Sequence, residues 1–198
     1  HNPPLPGPIS AGIVEEFESD QGFIQTSPDV TISGGQVVWP YKRNGGVQYV
    51  YRSITPFAGN LRVVMRGQVD SWTSNCTIQA GVGDSLGSGA GVTIGYTGGG
   101  CETNGPLIDA YGVALLDRKS GDCQFAGNWL WVEGGRPYTA TLELRDGAAT
   151  LAVDGVGIST GEVTYEGPYT TLFVGNRGNG DWPECEGKID SIRVEPLR

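Results

Sequence analysis

Histidine is all but missing from this chain. The only one stands at position 1 of 198 residues. A serine or cysteine nucleophile would therefore have no imidazole base beside it in the body of the chain. The four cysteines, at 76, 101, 123 and 185, show no CxxC spacing, and with no histidine near them a zinc site is not expected. Charged residues are also scarce, at 18%, which argues against disorder and against a coiled coil. No apolar run approaches the roughly 18 residues of a membrane span, no signal-peptide pattern is present, and membrane insertion is not expected. Basic residues are outnumbered, 13 against 22, for a net charge of −9. An acidic globule repels phosphate backbones, so a nucleic-acid partner is not expected either. Finally, no stretch keeps a 3.6-residue apolar period, which leaves little room for helices.

Glycine is abundant, at 33 residues, and apolar residues make up 38%. HNPPLPGPIS, residues 1–10, is proline-rich and without periodicity, and reads as a linker. From Ala11 to Arg198, short runs rich in Val, Ile, Thr and Tyr alternate with glycine turns, enough for one domain with a sizeable core. In LRVVMRGQVDSW, Leu61, Val63, Met65 and Val69 share one face against Arg62, Arg66, Gln68 and Asp70. In YTATLELRDGAATLAVDG, Leu142 and Leu144 precede an Asp146–Gly147 turn that Leu151 and Val153 follow, the pattern of a tight hairpin. Further strands are expected at 12–18, 22–26, 35–39, 47–54, 76–83, 90–97, 110–117, 129–132, 169–175 and 188–195. So many antiparallel strands imply an all-β fold of two packed sheets, a β-sandwich or jelly roll.

The search for chemistry starts with carboxylates. Glycoside hydrolysis needs two of them flanking the scissile bond, and no ExDxxE run occurs. Glu15, Glu16 and Glu18 cluster on the opening strand, Glu143 stands beside Arg145, and Glu184 and Glu186 flank Cys185. These read as solvated surface or metal ligands rather than as an acid pair. The cysteines suit two disulfides in an oxidising compartment.

Aromatic residues offer more. Sugars present apolar C–H faces on which flat indoles stack. GNWLWVEGG, residues 127–135, sets Trp129 and Trp131 on one face of a short strand and Leu130 and Val132 on the other. Either pair could face the core. Glycines on both sides suggest an edge strand anchored by its aliphatic pair, which would leave Trp129 in solvent. Trp182 lies in a glycine-rich loop. Val37, Trp39 and Tyr41 share a face, as do Tyr49 and Tyr51, and these are expected in the core.

Three pieces, in order, carry a resemblance: FAGNLRVVMRGQV, RPYTATLELRDGAATLAVDGVGI and TTLFVGNRGNGDWPECEGKIDSIRVEPL. Together with EEFES near the start, they resemble the concanavalin A-like (laminin G-like) jelly-roll family. The resemblance implies that the first strand pairs beside the last. It implies a structural calcium ion (Ca2+) shared by Glu18 of "FE" and Asp190 of "ID", and it selects disulfides Cys76–Cys185 and Cys101–Cys123. The family hosts lectins, spacers and enzymes alike, so fold alone does not fix function. Taken with the tryptophans and the missing acid pair, it leads us to expect a non-catalytic, extracellular, lectin-like carbohydrate-binding module, secreted or at a cell surface within a larger protein. The alternatives are a structural or adhesive domain and, third, a glycan-active enzyme.

Overall fold

In the computed structural model, the structure describes residues 12–20, 22–40, 47–74, 77–85, 88–96, 111–116, 123–124, 134–162, 167–177 and 184–198. Every element among them is a β-strand. In chain order they are β1 (Ile13–Glu15), β2 (Ile24–Gln25), β3 (Thr31–Ser33), β4 (Gln36–Trp39), β5 (Val47–Phe57), β6 (Leu61–Ser74), β7 (Thr77–Ser85) and β8 (Ser88–Tyr96). Then follow β9 (Tyr111–Leu116), β10 (Cys123–Gln124), β11 (Tyr138–Arg145), β12 (Ala148–Val153), β13 (Val156–Glu162), β14 (Tyr169–Arg177) and β15 (Glu184–Pro196).

Two antiparallel sheets result. An eight-stranded sheet runs β13-β12-β11-β6-β15-β4-β3, with β1 also paired to β15. A seven-stranded sheet runs β10-β9-β8-β7-β14-β5-β2. The expected pairing of the first strand beside the last is present, with Ile13 opposite Val194 and Glu15 opposite Ile192. On the other side of β15, β6 pairs along nearly its whole length.

The alternation along β6 decides which way the eight-stranded sheet faces. Leu61, Val63, Met65 and Val69 are all fully buried, while Arg62 and Arg66 point away from the core. Opposite them, Ile189, Ile192 and Val194 of β15 and Ala140, Leu142 and Leu144 of β11 complete that inner face. The seven-stranded sheet answers with Val50, Ile78, Ala80, Val82, Val92, Leu172 and Val174. Val37 and Trp39 are buried in this core, as the sequence suggests, and Tyr41 lies outside the described residues.

Tight turns fix the registers. Asp146 and Gly147 both take positive φ (52° and 79°), as do Asp154 and Gly155 (51° and 79°) and Gly34 and Gly35 (61° and 77°). A two-residue loop with both φ positive matches the twist of the strands it joins, so β11–β12, β12–β13 and β3–β4 are successive short hairpins. The sequence indicates the first of these. Strands β3, β10 and β13 are additions that the sequence does not announce.

Candidate functional site

The strand registers bring several strand ends to one end of the sandwich. Arg177 at the end of β14 pairs with Val47 at the start of β5, and Asn176 with Ile78 of β7. Thr77 pairs with Gly95, and Tyr96 at the end of β8 with Tyr111 at the start of β9. In the other sheet, Glu184 at the start of β15 pairs with Ser74 at the end of β6, and Gly187 with Trp39 at the end of β4. The strand ends bounding segments 41–46, 75–76, 97–110 and 178–183 are therefore neighbours. In sequence these segments contain Asn44, Asn75, Asn104, Asp109, Asp181 and Trp182. They are rich in the hydroxyl-binding and stacking groups that sugar recognition uses. Trp182 itself lies outside the described residues. So do Trp129 and Trp131, in a segment that leaves β10 in one sheet and re-enters beside the other, where Gly135 N–H donates to the Val69 carbonyl (2.7 Å).

The cysteines divide similarly. Cys185 stands opposite Trp72 on paired β15 and β6, and Cys76 lies two residues past the end of β6. Cys123 opens β10. Cys76 and Cys101 are outside the described residues, as is any bond they make.

The outward face of the seven-stranded sheet holds a group that the sequence reading puts elsewhere. Val50 and Val174 pair and face the core, so their neighbours Tyr49 and Phe173 face the other way. Tyr49 and Phe173 are nonetheless buried, 1% and 0% exposed, with rings 5.8 Å apart and nearly perpendicular. The Tyr49 hydroxyl donates to Oε1 of Gln79, itself 1% exposed. Next to this wall, Gly81 pairs with Gly91, and farther along Gly95 pairs with Gly112. A Cβ on Gly81 would lie 2.4 Å from the Ala90 carbonyl oxygen, so adjacent strands approach there as only glycine allows. Tyr49 is thus buried as expected, but on the face opposite Val50, and Tyr51 on that same face is only partly buried. Glycines that share this face, two apart in GVG of β7 and four apart in GVTIG of β8, are the signal that marks it.

Glu143, Glu195 and Glu15 lie beside arginines. Glu143 takes hydrogen bonds from Arg62 (2.9 Å to Nη2) and from Arg145 Nε (2.5 Å). These bonds hold its carboxyl below the usual range, with Arg145 the larger influence and Arg62 next. A general acid in glycoside hydrolysis needs the opposite shift. Glu15 accepts from the Phe17 N–H (2.9 Å) and lies 3.8 Å from Arg52, while Glu16 and Glu18 are exposed. A depression of about 340 Å³ on the outer face of the eight-stranded sheet is walled by Val14, Glu16, Arg62, Val64, Arg193 and Glu195. Arg62, its central cation, is spent on Glu143 and Glu195.

Asp190 is likewise engaged. Gln36 Nε2 donates to its Oδ1, and Arg66 Nε lies 3.4 Å from its Oδ2. Calcium takes six to eight oxygen ligands. Here two nitrogen donors, one of them cationic, face the carboxylate that the resemblance assigns to the ion. Among the described residues, no three Asp, Glu, His or Cys gather where they could hold a metal. The donor set as it stands does not fit calcium.

No family profile and no curated protein matches the sequence. Solved structures do match, at low identity. The exoplasmic/lumenal domain of VIP36, in its Ca2+/Man3GlcNAc-bound form, superposes with a TM-score of 0.64 at 13% identity, covering 94% of this chain and 88% of that one. The carbohydrate recognition domain of Emp47p gives 0.62 at 12%, covering 94% and 95%. The fold is the concanavalin A-like jelly roll. The CBM2 module of the evolved Dit of Lactobacillus casei BL23 phage J-1 shares this jelly roll at a TM-score of 0.55 and 12% identity, over 92% of this chain and 93% of that one. At these identities the likeness concerns the jelly roll itself and not its sites. The VIP36 domain is also known in a Ca2+-bound and a metal-free form.

Proposed function

We propose that this jelly roll is a non-catalytic carbohydrate-binding module of a secreted or cell-surface protein. What supports the reading most is the kind of neighbour the fold has over nine-tenths of its length: a domain solved with Man3GlcNAc bound, a carbohydrate recognition domain and a CBM2 module. The strand ends gathered at one end of the sandwich add to it, since they bound segments supplied with Asn, Asp and Trp182. Trp129, with Trp131 beside it, is the stacking residue of the proposal. The cation-held state of Glu143 speaks for binding rather than hydrolysis.

A second reading, a structural or adhesive domain contacting protein, is favoured by one observation. The outward face of the seven-stranded sheet is closed at Tyr49, Gln79 and Phe173, and so offers no open groove there. The calcium of the resemblance, at Glu18 and Asp190, would have to displace Gln36 and Arg66 from the carboxylate.

A glycan array probed with and without calcium tests the first reading, followed by Trp129→Ala. If the indole stacks on sugar at the surface, the variant loses retention on the positive glycan and keeps its melting temperature. If the indole is core, the change costs about 3–5 kcal/mol of stability. A wild-type protein that retains no glycan would transfer support to the adhesive reading.

A further inference from the structure

We infer that Asp190 is the centre of a metal-independent clasp, closed by Arg66 and Gln36, that locks the seam where β15 changes partners. The seam is visible in the registers. Along one edge of β15, residues 187–189 pair with β4 and residues 192–194 pair with β1. Along the other edge β15 runs beside β6, where Ile189 is opposite Gly67 and Ser191 is opposite Arg66, so Asp190 is an extra residue in a β-bulge. Such a bulge bends the strand and re-aims a side chain. Ile189 and Ile192 both enter the core, which turns Asp190 and Ser191 together toward the outer face.

Each carboxylate oxygen then meets a different strand. Oδ1 accepts from Gln36, the first residue of β4, and Oδ2 lies 3.4 Å from Arg66 of β6. Three strands are tied through one side chain at the point where backbone pairing lapses. Arg66 supplies the positive charge that a cation would otherwise bring. A guanidinium this close to the carboxylate also raises the electrostatic cost of adding a divalent ion. Calcium is then neither needed at the seam nor favoured there. The inference stands apart from glycan binding, because it concerns the fold and its readout needs no ligand.

Thermal unfolding after metal stripping tests it on wild type, Asp190→Asn, Arg66→Gln and the double variant, each in millimolar calcium and in chelator. The wild-type midpoint should be the same in both solutions. Each single change should lower it by a few degrees in chelator, and Asp190→Asn by as much in calcium. The double variant should fall by clearly less than the sum of the two, because both remove one interaction. A calcium-dependent rise of the wild-type midpoint that Asp190→Asn abolishes would overturn the inference. So would strict additivity of the two changes. If Asp190→Asn does not fold, the calcium comparison on wild type still decides.

Discussion

Gly175 shows how much a single residue can carry in this fold. It lies in β14 opposite both Tyr49 and Gln79, and a Cβ there would stand 2.1 Å from the Gln48 carbonyl oxygen and 2.8 Å from the Tyr49 Cα. These are backbone atoms of a central strand pair and cannot swing aside. Gly175→Ala should therefore destabilise the domain by about 1–3 kcal/mol or more, the range for overpacking. Urea unfolding should show a lower midpoint with an unchanged slope, and an unchanged midpoint would mean that β5 and β14 can separate at no cost. The same neighbourhood shows where sequence reading stops at this scale. A period of two tells which residues share a face, so Tyr49 and Tyr51 were legible as a pair. It does not tell which face meets the core, and here both faces of the central strands are buried. Asp190 was legible as a candidate for charge neutralisation. Its neutralising partner was not, because Arg66 is 124 positions away in sequence and meets it only through the bulge.

At the scale of elements, β11, β6 and β15 carry a cross-strand row on their outer face: Glu143 opposite Arg62, and Arg62 opposite Glu195. Arg62 reaches both carboxylates, at 2.9 and 3.0 Å. Arg145 beside it on β11, and then Arg62 of the row, lower the folded-state pKa of Glu143. A lowered carboxylate pKa contributes stability above the unfolded-state value and loses it as pH falls through the folded-state value. Acidification from neutral should thus weaken the domain through this row, by at most about 1 kcal/mol for partly exposed pairs. Glu143→Gln should flatten that part of the pH–stability curve, measured by urea midpoints from neutral to strongly acid solution. An identical slope in the variant would remove Glu143 from the account. The elements legible in sequence were those with strong alternation and a tight turn, as in LELRDGAATLAV. Strand β13, VGISTGE, alternates poorly, and its register against β12 slips so that Ile158 has no partner. It is an edge strand, with Val156 64% exposed.

For the whole molecule, three motifs in order and a paired first and last strand were enough to identify the jelly roll, because the core pattern is written along β6, β11 and β15. The candidate site was less legible, since it draws on segments whose residues are polar and glycine-rich and follow no period. The disulfides that the resemblance implies bridge the two levels. With β6 and β15 antiparallel and Cys185 opposite Trp72, a bond from Cys185 to Cys76 would close the end of the sandwich where the strand ends gather. Peptide mapping of the unreduced protein should recover 76–185 and 101–123, and reduction should cost on the order of 2–4 kcal/mol per bridge. A peptide joining Cys76 to Cys101 or Cys123 would replace that pairing. The β1–β15 seam also has a mechanical side. Ile13 and Val194 are opposite each other at the start of one strand and near the end of the other. Tension applied through these two points pulls neighbouring strands apart crosswise, loading Ile13–Val194, then Val14–Arg193, then Glu15–Ile192, one pair at a time. Three pairs in series resist far less than a sheet loaded in shear, so a stretched chain would give up β1 as a short length of slack while the β6–β15 pairing behind it held.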